Sequence, residues 1–517
     1  MPLPHRSPMS SYWLSSHSYP SETDLSTHRT TPELPAEVDV AIIGSGFSGA
    51  ATAYYILKGD SSSWSSSSTS TSTSAAYSKE GDTVPAKAVA TPKVLILEAR
   101  EACSGATGRN GGHVKPDLYF NAALYSKQYG PKVAQELTKF ETRQVFDIKR
   151  LVESERIECD FELTRTIDVY TDERVAGPVV EGYKRMKSEG YEFLDDLHFI
   201  PGERGRAEQV SGVKGALCAF SFTAASVWPW KMVMGLLSRV LEMGGNLQTN
   251  TPVLGIEKEK EKEEEQVEDD TGRWVLRTER GEVRAKKVVV TTNAYTAQLL
   301  NEFEGKITPA RGVACRIATP PPGEGKGEGV AEGEGVARVP PHLNNTYSIR
   351  FGPQEYDYLI SRTDGSIVVG GAKQKVLLDD AYWRNNTDDS QLIPGARDYF
   401  DGYMQRLFHG WEGTGAKVTD IWTGVMGYSA DLMPWVGEVP GREGLFVSAG
   451  FTGHGMPRIL GCAEAVAGLV RGHHGKGMHA TKVPRPYWVT KERLEEKRDI
   501  SREYMAGGRA KEGTSKL

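Results

Sequence analysis

Apolar positions along this chain fall into short unbroken runs and longer periodic ones. Asp39 to Ile43 ("DVAII") and Lys93 to Leu97 ("KVLIL") are compact and rich in β-branched or aliphatic residues, without polar alternation. That pattern predicts strands buried on both faces of a parallel sheet. The segment "AATAYYIL" after Gly49 predicts a helix with small residues toward that sheet. Further on, "PVLGI" and "RWVLRT" flank the charged run Glu257 to Asp270, which predicts a hairpin with a solvated connection. Met1 to Glu37 is polar and rich in Ser, Thr and Pro, and predicts a disordered leader.

The turn between the first strand and the helix is Gly44-Ser45-Gly46-Phe47-Ser48-Gly49. In that position each glycine has a physical reason. Gly44 permits the tight turn, Gly46 lets a pyrophosphate approach the backbone, and Gly49 lets helix and strand pack closely, with the phosphates at the positive end of the helix. Such a turn gains specificity from an acidic residue about 20 positions on, at the end of the second strand. Glu98 ends that strand but lies 49 positions after Gly49. If the 31 residues from Asp60 to Ala90, mostly Ser, Thr, Ala and Gly, form a disordered loop insertion, the spacing falls to 18. Long surface insertions cost little because closure entropy grows slowly with length. The segment "TPPPGEGKGEGVAEGEGVARVPP" predicts a second flexible loop.

Composition removes several function classes. With 517 residues the chain suits two domains, and 62 basic against 68 acidic side chains give a net charge of −6, which offers no surface for nucleic acid. Cys103, Cys159, Cys218, Cys315 and Cys462 are scattered and form no CxxC pair, so no metal site is expected. No apolar run is long enough to span a membrane. The terminal Ser515-Lys516-Leu517 reads as a peroxisomal address, with the import receptor as a partner.

Directly after Glu98 comes "AREACSGATGRNGGHVKPD", dense enough in small residues for backbone to pass against a flat ring system. Its "GATGRNGG" loop is similar to that of the FAD-dependent oxidoreductases of the D-amino-acid oxidase superfamily, in the γ-glutamylputrescine oxidase-like branch. "KKVVVTTNAYT" (Lys286 to Thr296) and "WTGVMGYSADLMPWVGEVPGREGLFVSAGFTGHGM" (Trp422 to Met456) resemble two further segments of that family. The resemblance runs from about Val38 to Leu469.

The resemblance implies an α/β protein with a Rossmann-type FAD-binding domain (38–125, 206–305 and 418–475) and a smaller antiparallel-sheet substrate domain (126–205 and 306–417). A disordered leader (1–37), a disordered insertion (60–90) and a C-terminal tail (476–517) complete the chain. It further implies that Gly44, Gly46 and Gly49 hold the pyrophosphate and Glu98 the ribose. Ser104, Thr107, Gly108, Arg109 and Asn110 would surround the flavin. Gly450, Thr452, Gly453, His454, Gly455 and Met456 would bring donors to its pyrimidine end and ribityl chain. The implied reaction is oxidation of a small-molecule amine at the carbon next to nitrogen, with molecular oxygen as acceptor and hydrogen peroxide as product. A dehydrogenase with another acceptor and a flavin-bound protein with a degenerate site are the alternatives.

One departure bears on the substrate. Where the family's amino-acid oxidases carry a carboxylate-gripping arginine, and its sarcosine oxidases a flavin-linked cysteine, this chain has Met426. The expectation is a non-covalent FAD and no carboxylate grip from position 426, with Met426 as pocket wall. His113, Met426 and His454 are the candidates for contact with the chemistry, His113 also for a covalent link. Tyr356, Tyr358, Arg362 and Lys373 are candidate pocket residues, Trp228 and Trp230 are expected to pack, and Cys315 to be a buried thiol.

Overall fold

A computed structural model describes residues 3–15, 24–59, 91–259, 272–320, 338–353, 355–373, 379–472 and 483–506. The insertion expected at 60–90, most of the charged run, most of the glycine-rich loop and the terminal tripeptide lie outside the described residues.

Two sheets organise the chain. In the first, of eight strands, Glu37–Ile43 lies between Gly281–Val290 and Val94–Leu97, parallel to both. Ile43 pairs with Leu97. The second strand therefore ends level with the glycine turn, and Glu98 follows at the position that the shortened spacing requires. Asn246–Gln248 extends the sheet on one side, Leu445–Ala449 and Trp435–Glu438 on the other. The unbroken apolar character of these strands follows from cover on both faces. Phe47–Lys58, Pro229–Glu242 and Ile459–Val470 pack together on one side, and Trp274, Phe303 and Trp435 fill the core on the other.

The second sheet has nine strands, in the order Lys417–Ser429, Ile307–Ala318, Ile367–Gly371, Tyr356–Ser361, Thr346–Arg350, Glu162–Tyr170, Cys218–Ser226 and His113–Val114, with His198–Pro201 paired to Cys218–Ser226. It is antiparallel except where Thr346–Arg350 runs parallel to Glu162–Tyr170. One face of this sheet roofs the crevice beyond the first sheet. No described helix is long and apolar enough to cross a membrane.

The structure draws some boundaries differently from the sequence. Cys218–Ser226, expected in the dinucleotide-binding part, is a strand of the second sheet. It is buried along nearly its whole length, so its apolar run reads alike in either sheet. The Pro131–Ser154 helix, expected in the substrate part, packs against the Ile459–Val470 helix, where Gln144 accepts a hydrogen bond from Gly461 N at 2.7 Å. The leader is not disordered over its described part, because Tyr12 and Trp13 are buried in the main core. The tail is likewise built in: Arg493 pairs with Asp431, and Tyr487 is fully buried.

Candidate active site

The glycine turn has the geometry its sequence implies. Gly44 has φ +104°, a region that favours glycine, and its N–H donates to Leu97 O at 2.8 Å. A Cβ on Gly49 would sit 1.9 Å from Gly44 O, and one on Gly46 would sit 3.2 Å from Thr107 Oγ1. Phe47 N donates to Thr107 Oγ1, whereas the N–H groups of Gly46 and Ser48 have no protein acceptor among the described residues. Glu98 is fixed by Ser45, whose N–H and hydroxyl both donate to its Oε2, and by Arg100 N–H at Oε1.

The Ser104–Gly112 loop is held by its carbonyls, from an unexpected quarter. Ser11 Oγ donates to Gly108 O, Trp13 Nε1 to Asn110 O, Trp422 Nε1 to Arg109 O and Val227 N to Gly112 O. Two of these donors belong to the leader. Ser104 Oγ is buried without a partner among the described residues. Arg109 has its guanidinium engaged by protein acceptors. Its guanidinium is buried and donates to the carbonyls of Ser104, Thr423 and Met9, beside Asp389 at 3.6 Å. A buried guanidinium has to satisfy its fork of donors, and here one loop carbonyl and two from distant segments do so. Burial lowers its pKa to about 10, with Asp389 working in the opposite direction.

The return segment after Leu445–Ala449 is pinned by Asn293, which sequence reasoning missed. Its Oδ1 accepts from Gly450 N and Phe451 N, and its own φ is +47°. An asparagine directly after "VVVTT" was the available signal. Thr452 N–H is used by Gly427 O, so it does not face a ligand, whereas the N–H groups of Gly453, Gly455 and Met456 have no acceptor among the described residues. Met426 fills the space opposite two glycines: a Cβ on Gly312 would lie 2.7 Å from its Cε, and one on Gly453 would lie 3.1 Å from its Sδ.

The two histidines differ in their surroundings. His454 Nε2 bonds Glu141 Oε2 at 2.8 Å, and Glu141 Oε1 accepts from Arg458 Nε at 2.7 Å. Burial pushes the Glu141 carboxyl up, but Arg458 and His454 outweigh it and hold the pKa at about 2. His454 is thus anchored on the buried Glu141–Arg458 ion pair. His113 is half-buried, and its Nε2 is buried and unpartnered among the described residues. Burial first, then Lys115 and His454, keeps its pKa well below the ordinary range, so the imidazole is neutral.

Between the two sheets lies a cavity of about 400 Å³. Gly44, Gly46, Glu98, Thr107, Arg109, Asn110, Thr452, Gly453, His454, Gly455 and Met456 line it, as do His113 and Met426. Gly49, Ser104, Gly108 and Gly450 stand behind the wall, where they set the backbone. Tyr356, Tyr358 and Lys373 also line it, with the Tyr358 ring against the hydrogens of Gly111 and Gly370. Arg362 does not: it pairs with Asp160 at 2.5 Å and stacks on Trp13 and Trp228. Trp228 packs against Tyr12 and Trp13, and Cys315 is buried in the second core. Among the lining residues that gave no signal in the sequence are Arg350 and Tyr504, the latter from the tail.

The profile described as FAD dependent oxidoreductase, DAO, matches residues 39–469. The chain belongs to this family. It is 23% identical over 388 residues to gamma-glutamylputrescine oxidoreductase of Escherichia coli (strain K12), covering 73% of this chain and 78% of that protein. Among solved structures, glycine oxidase from Geobacillus kaustophilus superimposes with a TM-score of 0.62 at 18% identity, covering 88% of this chain and 99% of that one. L-Proline dehydrogenase from P. horikoshii gives 0.60 at 18%, covering 87% and 98%. The mixed α/β fold is that of these FAD-binding enzymes.

The cofactor of this DAO-family chain is FAD, and the residues present fit it. The turn is a cradle that a Cβ at Gly49 would close, and among the described residues the N–H groups of Gly46 and Ser48, and those of Gly453, Gly455 and Met456 at the other end, have no protein acceptor. None of the five cysteines lines the cavity, and Met426 cannot form a thioether link, in keeping with a non-covalent FAD.

Proposed function

We propose that this FAD-dependent oxidoreductase oxidises an amine at the carbon next to nitrogen, giving an imine that water hydrolyses, with oxygen reduced to hydrogen peroxide. The observation that carries the reading is that His113, a neutral imidazole, and Met426, an apolar thioether, both line the cavity together with the backbone of Gly453 and Gly455. Such a surface binds an amine in its unprotonated form, because desolvation lowers an amine pKa, and it leaves the nitrogen lone pair free to assist the oxidation. FAD, when bound, supplies the acceptor for the two electrons. His454 has a positioning role, held by Glu141, while the Gly453–Met456 backbone supplies donors that stabilise negative charge. The relatives named above are named for γ-glutamylputrescine, glycine and L-proline, compounds that carry a hydrogen-bearing carbon bonded to nitrogen. The same reading takes Ser515-Lys516-Leu517 as a peroxisomal address, the compartment in which peroxide would be released. A fluorescent protein fused ahead of an intact tripeptide that stays in the cytosol would count against that part.

The test is the visible spectrum of the purified holoprotein without oxygen, before and after a panel of amines, polyamine derivatives and amino acids. Bleaching by an amine supports the reading; a flavin that no amine bleaches overturns it. Recovery in air with stoichiometric peroxide identifies an oxidase, and slow recovery a dehydrogenase.

A further inference from the structure

We infer that Tyr504, brought to the cavity by the C-terminal tail, closes it on the side of Asp117 and Asn121 and so limits how long a substrate the cavity takes. The length limit rests on the cavity being the substrate site, as proposed above; the closure itself does not.

The family profile matches residues 39–469, and Tyr504 lies beyond that stretch. It belongs to Ser501–Ala506, a helix of 6 residues, too short to hold its own shape in water. What holds it is a set of tethers at its entrance. Ile500 N donates to Ala430 O at 2.8 Å, directly after the Lys417–Ser429 strand that bears Met426. Asp499 Oδ2 accepts from Arg384 Nη2 at 2.8 Å, and Asp499 Oδ1 accepts from the N–H and the hydroxyl of Ser501, which is fully buried. Arg384 in turn bridges to Ala310, the register partner of Met426. The tail thus takes its position from the two strands that place Met426.

From these tethers Tyr504 reaches the cavity and joins its wall. Its hydroxyl donates to Asn121 Oδ1 at 3.3 Å, and Asn121 N donates to Asp117 Oδ1. Asp117, Tyr125, Arg350, Tyr356 and Tyr428 act on or feel its phenol, and all of them line the same cavity. A Cβ on Gly453 would lie 3.1 Å from Tyr428 Oη, so this end of the cavity adjoins the Gly453–Met456 segment. Tyr504 therefore spans the gap between the tail and the Asp117–Asn121 turn. A bond of 3.3 Å is at the weak end of the range, so the closure comes from the volume of the ring rather than from the bond. Burial first, then Tyr356 and Asp117, pushes the phenol up to about 12, and the closing group is neutral. An extended substrate lying past Met426 meets this ring, and its length is set by the space in front of it.

The test bleaches the FAD-loaded full-length protein with dithionite in the absence of oxygen and follows the rate. No amine is involved, so this arm judges the closure whether or not amines are oxidised. Tyr504→Ala is expected to bleach about threefold faster than wild type or more, as for a side chain that sets access. Tyr504→Phe, which keeps the ring and loses only the bond to Asn121, is expected to stay near wild type. If Tyr504→Ala does not retain FAD, Asp499→Asn, which loosens the Arg384 tether, serves with the same expected direction. A second arm offers linear amines of increasing chain length to wild type, Tyr504→Ala and Tyr504→Trp, reading bleaching or perturbation of the flavin spectrum. The optimum is expected to move to longer chains in Tyr504→Ala and to shorter ones in Tyr504→Trp. If no amine affects the flavin of the wild type, the substrate reading fails and the dithionite rates alone judge the closure. An unchanged dithionite rate in the variant used, a rate in Tyr504→Phe equal to a raised rate in Tyr504→Ala, or a length optimum common to all three proteins would overturn the inference.

Discussion

The indole N–H of Trp13 donates to the backbone carbonyl of Asn110 at 2.5 Å, across 97 positions of sequence. The same indole is fully buried against Trp228 and Trp422. The leader is therefore part of the wall behind the flavin loop. Trp13→Ala is expected to cost about 3–5 kcal/mol through cavity formation, and to release FAD on desalting, read as the ratio of flavin to protein absorbance. Trp13→Phe, which keeps most of the packing, is expected to lose less. Full FAD retention with unchanged melting in Trp13→Ala would refute the role.

Gly49→Ala places a methyl group 1.9 Å from Gly44 O, a backbone atom that cannot step aside. The expected product is a folded apoprotein. Far-UV circular dichroism close to wild type with no flavin absorbance would bear this out, and stoichiometric FAD would contradict it.

Glu141 is the counter-charge of Arg458, and both are 2% exposed. Removing it as Glu141→Ala strands a buried guanidinium, expected to cost about 3–5 kcal/mol. Because the folded pKa is lowered to about 2, this carboxylate stabilises the fold above the ordinary carboxylate range and ceases to as pH falls toward 2. Glu141→Gln should therefore flatten the acid limb of thermal stability below pH 4.5, relative to wild type. An acid limb of unchanged steepness in that variant would exclude this contribution.

Asp357 behaves in the opposite sense. Burial raises its carboxyl pKa to about 6, against the lowering effect of hydrogen bonds from Tyr399 and Ala372. With the folded value above the unfolded one, its contribution is complete below about pH 4 and is lost as pH rises through 6. The shift corresponds to roughly 3 kcal/mol. Asp357→Asn is expected to shrink the fall in melting temperature between pH 4 and 8; an equally steep fall would refute the assignment.

Legibility in the sequence followed how locally each feature is encoded. Gly44, Gly46, Gly49 and Glu98 could be read because strand, turn and helix are contiguous and periodic, and because the interruption is compositionally distinct. Met426 could be read as pocket wall because one position in a longer motif changed its chemistry. Trp13 and Tyr504 could not, since each is an aromatic in a polar stretch whose average composition gave no sign of a distant socket. Arg350 was invisible for another reason: strand alternation does not say which face meets a cavity. The hold of the Arg109 guanidinium on the carbonyls of Thr423 and Met9 was not legible, because only the fold brings those segments to it.

The pairing of Ser48 with Ser448, 400 positions apart, has a consequence for biosynthesis. The glycine turn emerges early from the ribosome, but its neighbouring strand Gly281–Val290, the Gly453–Met456 amides and the indole of Trp422 that caps Arg109 emerge much later. Parallel pairings of such separation form only once loop closure over long stretches has been overcome. A nascent chain thus carries a nucleotide turn with no pocket around it, and FAD capture is an event of the finished polypeptide, in step with the threading of both arms onto the closed core.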